Sequence, residues 1–142
     1  MFLLLNHARD LKVTTPDAFY WASGTLSSFL DNAPTYYNFF SAAHGLAGLE
    51  PGRQTEAWLA LPAVGPAGAS AAKILLAISL GSVFFGANTY IGNGPNFMVK
   101  AIAEAAGVPM PSFFGYIFKY TLPIMLPVLA VVWVLFVSGW VF

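Results

Sequence analysis

Cysteine is absent from the 142 residues, which excludes disulfides and thiolate metal sites and leaves the redox compartment unreadable. Charge is scarce as well. Only 8% of residues are Asp, Glu, Lys or Arg, against roughly 25% in an ordinary soluble domain. Six basic and six acidic residues cancel, so no basic patch exists for a nucleic-acid partner. The two histidines, His7 and His44, stand in different segments, and no Ser–His–Asp order, metal-ligand cluster, phosphate loop or dinucleotide fingerprint is present. The sequence therefore points to no enzyme, no cofactor and no resident metal. Met1–Leu5 looks like the start of a signal sequence, but no basic region precedes it and no small-residue cleavage site follows. It reads instead as the tail of a preceding hydrophobic element.

What remains is apolar: 58% of residues are hydrophobic and 16% aromatic, with a mean hydropathy of +0.69. A chain this poor in charge could not cover a soluble surface. It reads as an all-α, polytopic integral membrane protein with two discontinuous transmembrane helices and one continuous C-terminal transmembrane helix. Thr15-Pro16-Asp17 supplies an N-cap, a proline at N1 and an acid in the first turn, which starts a half-helix over about 17–30. A second half-helix is expected over about 34–43, ending at His44-Gly45. Residues 45–70, with Glu50, Arg53 and Glu56, read as an extramembrane or interfacial connector, with Trp58 at the headgroups. The next span covers about 69–88, and a short helix from Asn96 stops at Gly107, a suitable C′ residue. The last element runs from about Ser112 to the end. Its uncharged stretch from Tyr120 to Phe142 exceeds the ~20 residues that cross a bilayer, and Pro123 and Pro127 should kink it.

The two interruptions are alike. Asp31-Asn32-Ala33-Pro34-Thr35-Tyr36 and Gly92-Asn93-Gly94-Pro95-Asn96-Phe97 share the pattern Asn-small-Pro-polar-aromatic. Their flanks differ, so they read as a repeated device rather than a demonstrated internal repeat. A helix normally satisfies its own backbone in lipid, so a break at membrane depth must face protein or a water-filled cavity. Paired breaks are the best sequence pointer to an ion or substrate site in a secondary transporter. Carbonyls freed at the end of a first half-helix attract a cation, and N–H groups freed at the start of the second attract an anion. The expected ligands are Ser28, Asp31, Asn32 and Thr35 at one break and Asn88, Thr89, Asn93 and Asn96 at the other. Pro34, Gly92, Gly94 and Pro95 make the breaks. These are hard oxygen donors suited to a transported sodium ion. Asp31 is the acid among them. Desolvation holds a proton on a carboxyl and a cation displaces it, so Asp31 is the expected proton-for-sodium exchange group.

The segment Gly24–Tyr36 contains Asp31-Asn32-Ala33-Pro34-Thr35 and resembles the signature of sodium/proton antiporters of the ion-transporter superfamily. That group includes citrate-transporter-like and arsenite-pump-like proteins. Gly86–Lys100 resembles the second signature of the same branch, and the likeness extends over about 15–140. The resemblance implies two inverted repeats, with re-entrant hairpins and broken helices meeting at mid-membrane. Asp31, Asn32 and Thr35 would form one half of the site, and Asn93, Pro95 and Asn96 the other. By this resemblance residues 1–142 belong to one transmembrane transporter domain, as the C-terminal part of its second repeat. A missing N-terminal repeat or partner chain would complete it.

The leading functional expectation is sodium/proton antiport. One alternative is sodium- or proton-coupled symport of a citrate-like carboxylate, and another is a non-transporting scaffold subunit. The expected partners are the lipid bilayer, the missing repeat and a second copy in a homo-oligomer. The expected location is the inner or plasma membrane of a bacterium. Blander roles are expected for the remaining polar residues. Lys100 and Glu104 form a solvated pair, His44 caps a helix end, Lys73 and Lys119 snorkel, and Trp133 and Trp140 are lipid-facing or interfacial anchors.

Overall fold

The computed structural model describes residues 13–49 and 55–139, and over them the chain is helical apart from one isolated antiparallel bridge, Val64 to Ala69. The readings on Met1–Leu5, His7, Glu50, Arg53 and Trp140 lie outside the described residues. Helix α1 spans Pro16–Ser27. The Thr15 hydroxyl accepts from the Ala18 N–H at 3.1 Å, as the Thr-Pro-Asp start requires. Helix α2 spans Asn32–Leu46, so it starts before Pro34 and ends after Gly45. Pro34 lies in its first turn, where a missing N–H costs nothing because that group has no partner within the helix. The end is set by Gly48 at φ 71°. The Gly48 N–H bonds to Gly45 O at 3.1 Å and the Leu49 N–H to His44 O at 3.1 Å, which is a Schellman motif.

The connector carries a five-residue helix, α3, Thr55–Leu59. Its Trp58 is fully buried within the chain, with its ring stacked on His44 at a centroid distance of 4.3 Å. Helix α4 spans Ala71–Phe84 and tightens into a 3-10 turn over Phe85–Asn88. Helix α5 spans Gly94–Ala105 and closes on Gly107 at φ 78° by a second Schellman motif, with Val108 N bonded to Ala103 O at 2.9 Å. Helix α6 runs unbroken over Phe113–Val137. Around Pro123 it widens to π geometry over Ile117–Met125, and again over Trp133–Val137. Five-residue hydrogen bonding relieves the crowding that a proline imposes on a four-residue ladder.

Two of these helices are long and apolar enough to cross a membrane: Ala71–Asn88 and Phe113–Val137, with 18 and 25 residues. At about 1.5 Å per residue the second exceeds the ~30 Å hydrocarbon thickness and crosses it only with tilt.

The core forms where α1 lies along α4. Small residues permit the approach: a side chain added at Gly24 would meet the Phe85 ring at 2.6 Å, and one at Gly81 would meet the Tyr20 carbonyl at 2.5 Å. Phe19, Tyr20, Ile74, Ala77, Ile78 and Phe85 are buried there. Two polar contacts tie α6 across this pair. The Tyr20 hydroxyl donates to Leu129 O at 2.8 Å, and Trp133 Nε1 donates to Asp17 Oδ1 at 2.7 Å. Trp133 is thus half-buried and engaged with α1, where a lipid-facing or interfacial anchor was expected. The far sides of α5 and α6 stay apolar and exposed, with Phe97, Ile102, Phe114, Phe118 and Val131 each more than half exposed.

Candidate functional site: the crossing of two helix junctions

Helices α1 and α4 run parallel with a constant offset. Tyr20 meets Gly81, Gly24 meets Phe85, and Ser28 meets Thr89, each pair 61 residues apart. The same interval separates Asn32-Ala33-Pro34-Thr35-Tyr36 from Asn93-Gly94-Pro95-Asn96-Phe97. The sequence pattern and the packing therefore share one register. The junction after α1 (28–31) lies against the junction after α4 (89–93). Parallel helices bring two C-terminal ends together, so their partial negative charges add.

The end of α4 and its 3-10 turn leave carbonyls without intrahelical partners. Side chains from four other segments satisfy them. Ser27 Oγ donates to Ser82 O at 2.5 Å, and Ser28 Oγ reaches Gly24 O at 3.1 Å and Phe85 O at 3.3 Å. Asn96 Nδ2 donates to Gly86 O at 3.0 Å, and the Tyr116 hydroxyl to Ala87 O at 3.1 Å. Thr121 Oγ1 donates to Asn88 O at 2.5 Å. The hydrogen-bond surroundings set the Asn32 amide with its nitrogen inward. Its two N–H groups then share three acceptors, Ser82 O and Gly92 O, both at 3.1 Å, and Ser27 Oγ at 2.9 Å. Thr89 works in both directions: its hydroxyl donates to Ser28 O and accepts from Gly92 N at 3.0 Å.

Gly92 is required by this crowding. A Cβ there would lie 2.7 Å from Ser28 O, 2.8 Å from Ser27 O and 3.0 Å from Gly86 O. Gly86 is tight against the Asn32 amide in the same way.

Not every oxygen is used. Asn88 is 5% exposed and its Nδ2 donates to Ser28 Oγ at 3.1 Å, yet its Oδ1 has no partner. Thr35 Oγ1 and Ser82 Oγ are buried without partners as well. A buried oxygen that accepts nothing costs about 1–3 kcal/mol, and a cation is one group that offsets that cost.

Of the residues expected from the sequence, Ser28, Asn32, Asn88, Thr89 and Asn96 come together here, around Gly92. Thr35 is buried one turn into α2. Asp31 is exposed, and its carboxylate accepts from its neighbour Asn32 N at 2.8 Å as the N-cap of α2. Asn93 stands at the N-cap of α5 without a side-chain capping bond, and Pro34, Gly94 and Pro95 are exposed. Ser27, Ser82, Gly86, Tyr116 and Thr121 belong to the junction but were not among the expected residues. Thr121 carries a signal, as a polar residue inside an uncharged span, whereas Ser27 and Ser82 are indistinguishable from packing residues. Lys100 and Glu104 pair at 2.6 Å on the exposed side of α5, as expected. His44 is buried, with Nδ1 3.0 Å from Phe40 O, so it bonds its own helix.

Neither curated proteins nor solved structures include a match to this chain. A family model described as "Putative citrate transport" matches residues 2–137, and the chain belongs to that family.

Proposed function

We propose that the two junctions are breaks in discontinuous membrane helices, and that their crossing holds the coupling cation of a carboxylate transporter. Family membership makes the chain part of a membrane transport protein. The finer reading is cation-coupled symport of a citrate-like carboxylate in a plasma membrane. The observation that carries it is the buried, unpartnered Asn88 Oδ1 beside two parallel helix C-termini. A neutral amide oxygen and backbone carbonyls suit a weakly held alkali cation, and the adding dipoles favour positive charge there. The exposed apolar faces of α5 and α6 fit further transporter helices.

The test is citrate uptake by the membrane-extracted protein reconstituted into liposomes under a sodium gradient. Asn88→Ala should raise the sodium concentration for half-maximal uptake about tenfold, the equivalent of 1.4 kcal/mol. An unchanged sodium dependence would remove the reading. One observation favours a second reading, sodium/proton antiport: Asp31 adjoins Asn32, whose amide is part of the crossing. That reading needs the Asp31 carboxylate to exchange a proton for sodium.

A further inference from the structure

A cavity of about 390 Å³ opens beside the first turns of α6, and Asn88 is not part of its lining. Its polar wall is a ladder of three tyrosines. The Tyr90 and Tyr116 rings lie 4.5 Å apart, and Tyr116 and Tyr120 lie 5.6 Å apart. Ile124 and Met125 form one end, and Pro109-Met110-Pro111 forms the other. Tyr90 is 5% exposed and its hydroxyl is buried without a partner. Two ammonium groups rest on the ladder. Lys100 Nζ lies 5.5 Å from the Tyr90 ring centre, and Lys119 Nζ lies 5.6 Å from that of Tyr120. Glu104 pairs with Lys100 and offsets its charge, whereas Lys119 makes no ion pair among the described residues.

We propose that this cavity binds an anionic phospholipid. The position supports a lipid over a soluble anion. Tyr116, Lys119 and Tyr120 lie in the first two turns of a 25-residue membrane-length helix, the depth at which tyrosines and snorkelling lysines meet headgroups. The apolar end continues onto the exposed face of α6 through Leu122 and Ile124, 44% and 53% exposed, which is where an acyl chain would lie. Lys119 does not line the cavity but lies over the ring of its lining residue Tyr120, so the phosphate would sit at the mouth beside that ammonium, with the Tyr90 hydroxyl as an added donor. Because Tyr116 also donates to Ala87 O, an occupant of this cavity would reach the turn after α4 through that side chain.

The test is native mass spectrometry of the detergent-purified protein titrated with phosphatidylglycerol and with phosphatidylcholine of the same chains. The wild type should retain phosphatidylglycerol in preference to phosphatidylcholine. Lys119→Gln should weaken that preference about fivefold, the scale expected for one basic residue near a headgroup. Tyr90→Phe should weaken retention of phosphatidylglycerol without lowering the thermal midpoint, because the hydroxyl it removes is buried and unpartnered. Because Lys119 is exposed, its loss leaves the fold intact, and Lys119→Arg should restore the preference. Equal retention of the two lipids, or a preference that survives Lys119→Gln, would overturn the proposal.

Discussion

The hydroxyl of Thr89 donates to the carbonyl of Ser28, and so joins the ends of two parallel helices whose residues pair at an interval of 61. The same hydroxyl accepts from Gly92 N at 3.0 Å. One side chain thus satisfies a freed carbonyl of the first junction and a freed N–H of the second.

Thr89→Val keeps the shape and removes both bonds. Each buried group left without a partner costs about 1–3 kcal/mol, so the thermal midpoint in detergent should fall clearly. Thr89→Ser keeps the hydroxyl and should recover most of the loss. A valine variant as stable as the wild type would show that the Ser28 carbonyl finds another donor.

The two glycines of the second junction should respond differently. Gly92→Ala places a methyl group 2.7 Å and 2.8 Å from two carbonyl oxygens, and backbone must move to admit it. The crossing should open, with loss of the monodisperse species in size-exclusion chromatography. Outside its own helix and chain neighbours, Gly94 has nothing within 4 Å of the position its Cβ would take, and it already lies in the first turn of α5. Gly94→Ala should be close to neutral, because the helical preference for alanine is offset by crowding of its Cβ against the Pro95 ring.

Much of this arrangement is legible in the amino-acid sequence, and the physical reason is locality. Thr15-Pro16-Asp17, Ser112 and Gly107 act through bonds to residues within a turn or two, so their sequence context contains the partner. The patterned segments around Pro34 and Pro95 mark both junctions for the same reason. The partners are not legible. Nothing near Ser27 indicates that it faces Ser82, because that contact depends on α1 lying parallel to α4. Trp58 looks interfacial because a tryptophan after a polar connector usually is, and its burial depends on Phe40 and His44 of α2, whose rings pack against it. Asp31 reads as a ligand because an acid in an apolar context is costly, and its second role, capping α2, is local and equally readable.

The attachment of α6 to α1 rests on the Trp133 to Asp17 bond at 2.7 Å and the Tyr20 to Leu129 bond at 2.8 Å. Trp133→Phe removes the donor to a charged acceptor and should lower stability by about 1.5–3 kcal/mol. Asp17→Asn retains an oxygen acceptor and should cost less. The comparison is made by thermal unfolding of both variants in one detergent. Equal effects would mean that the charge on Asp17, rather than the bond, holds α6.

Asp31 separates the two functional readings. Its carboxylate caps α2 at 2.8 Å from Asn32 N and is otherwise exposed. Asparagine caps about as well as aspartate, so Asp31→Asn should leave the thermal midpoint unchanged, whereas Asp31→Ala should cost about 0.5–2 kcal/mol. A cation held by neutral oxygens does not need this charge. Asp31→Asn in reconstituted protein should therefore keep sodium-driven citrate uptake and its dependence on pH. Antiport through Asp31 requires the opposite: a folded variant in which a sodium gradient no longer moves protons. Measured on the same liposomes with a pH-sensitive dye and labelled citrate, the two outcomes exclude each other. Survival of uptake leaves Asn88 and the parallel helix ends as the seat of the cation, and its loss in a stable variant moves that seat to Asp31.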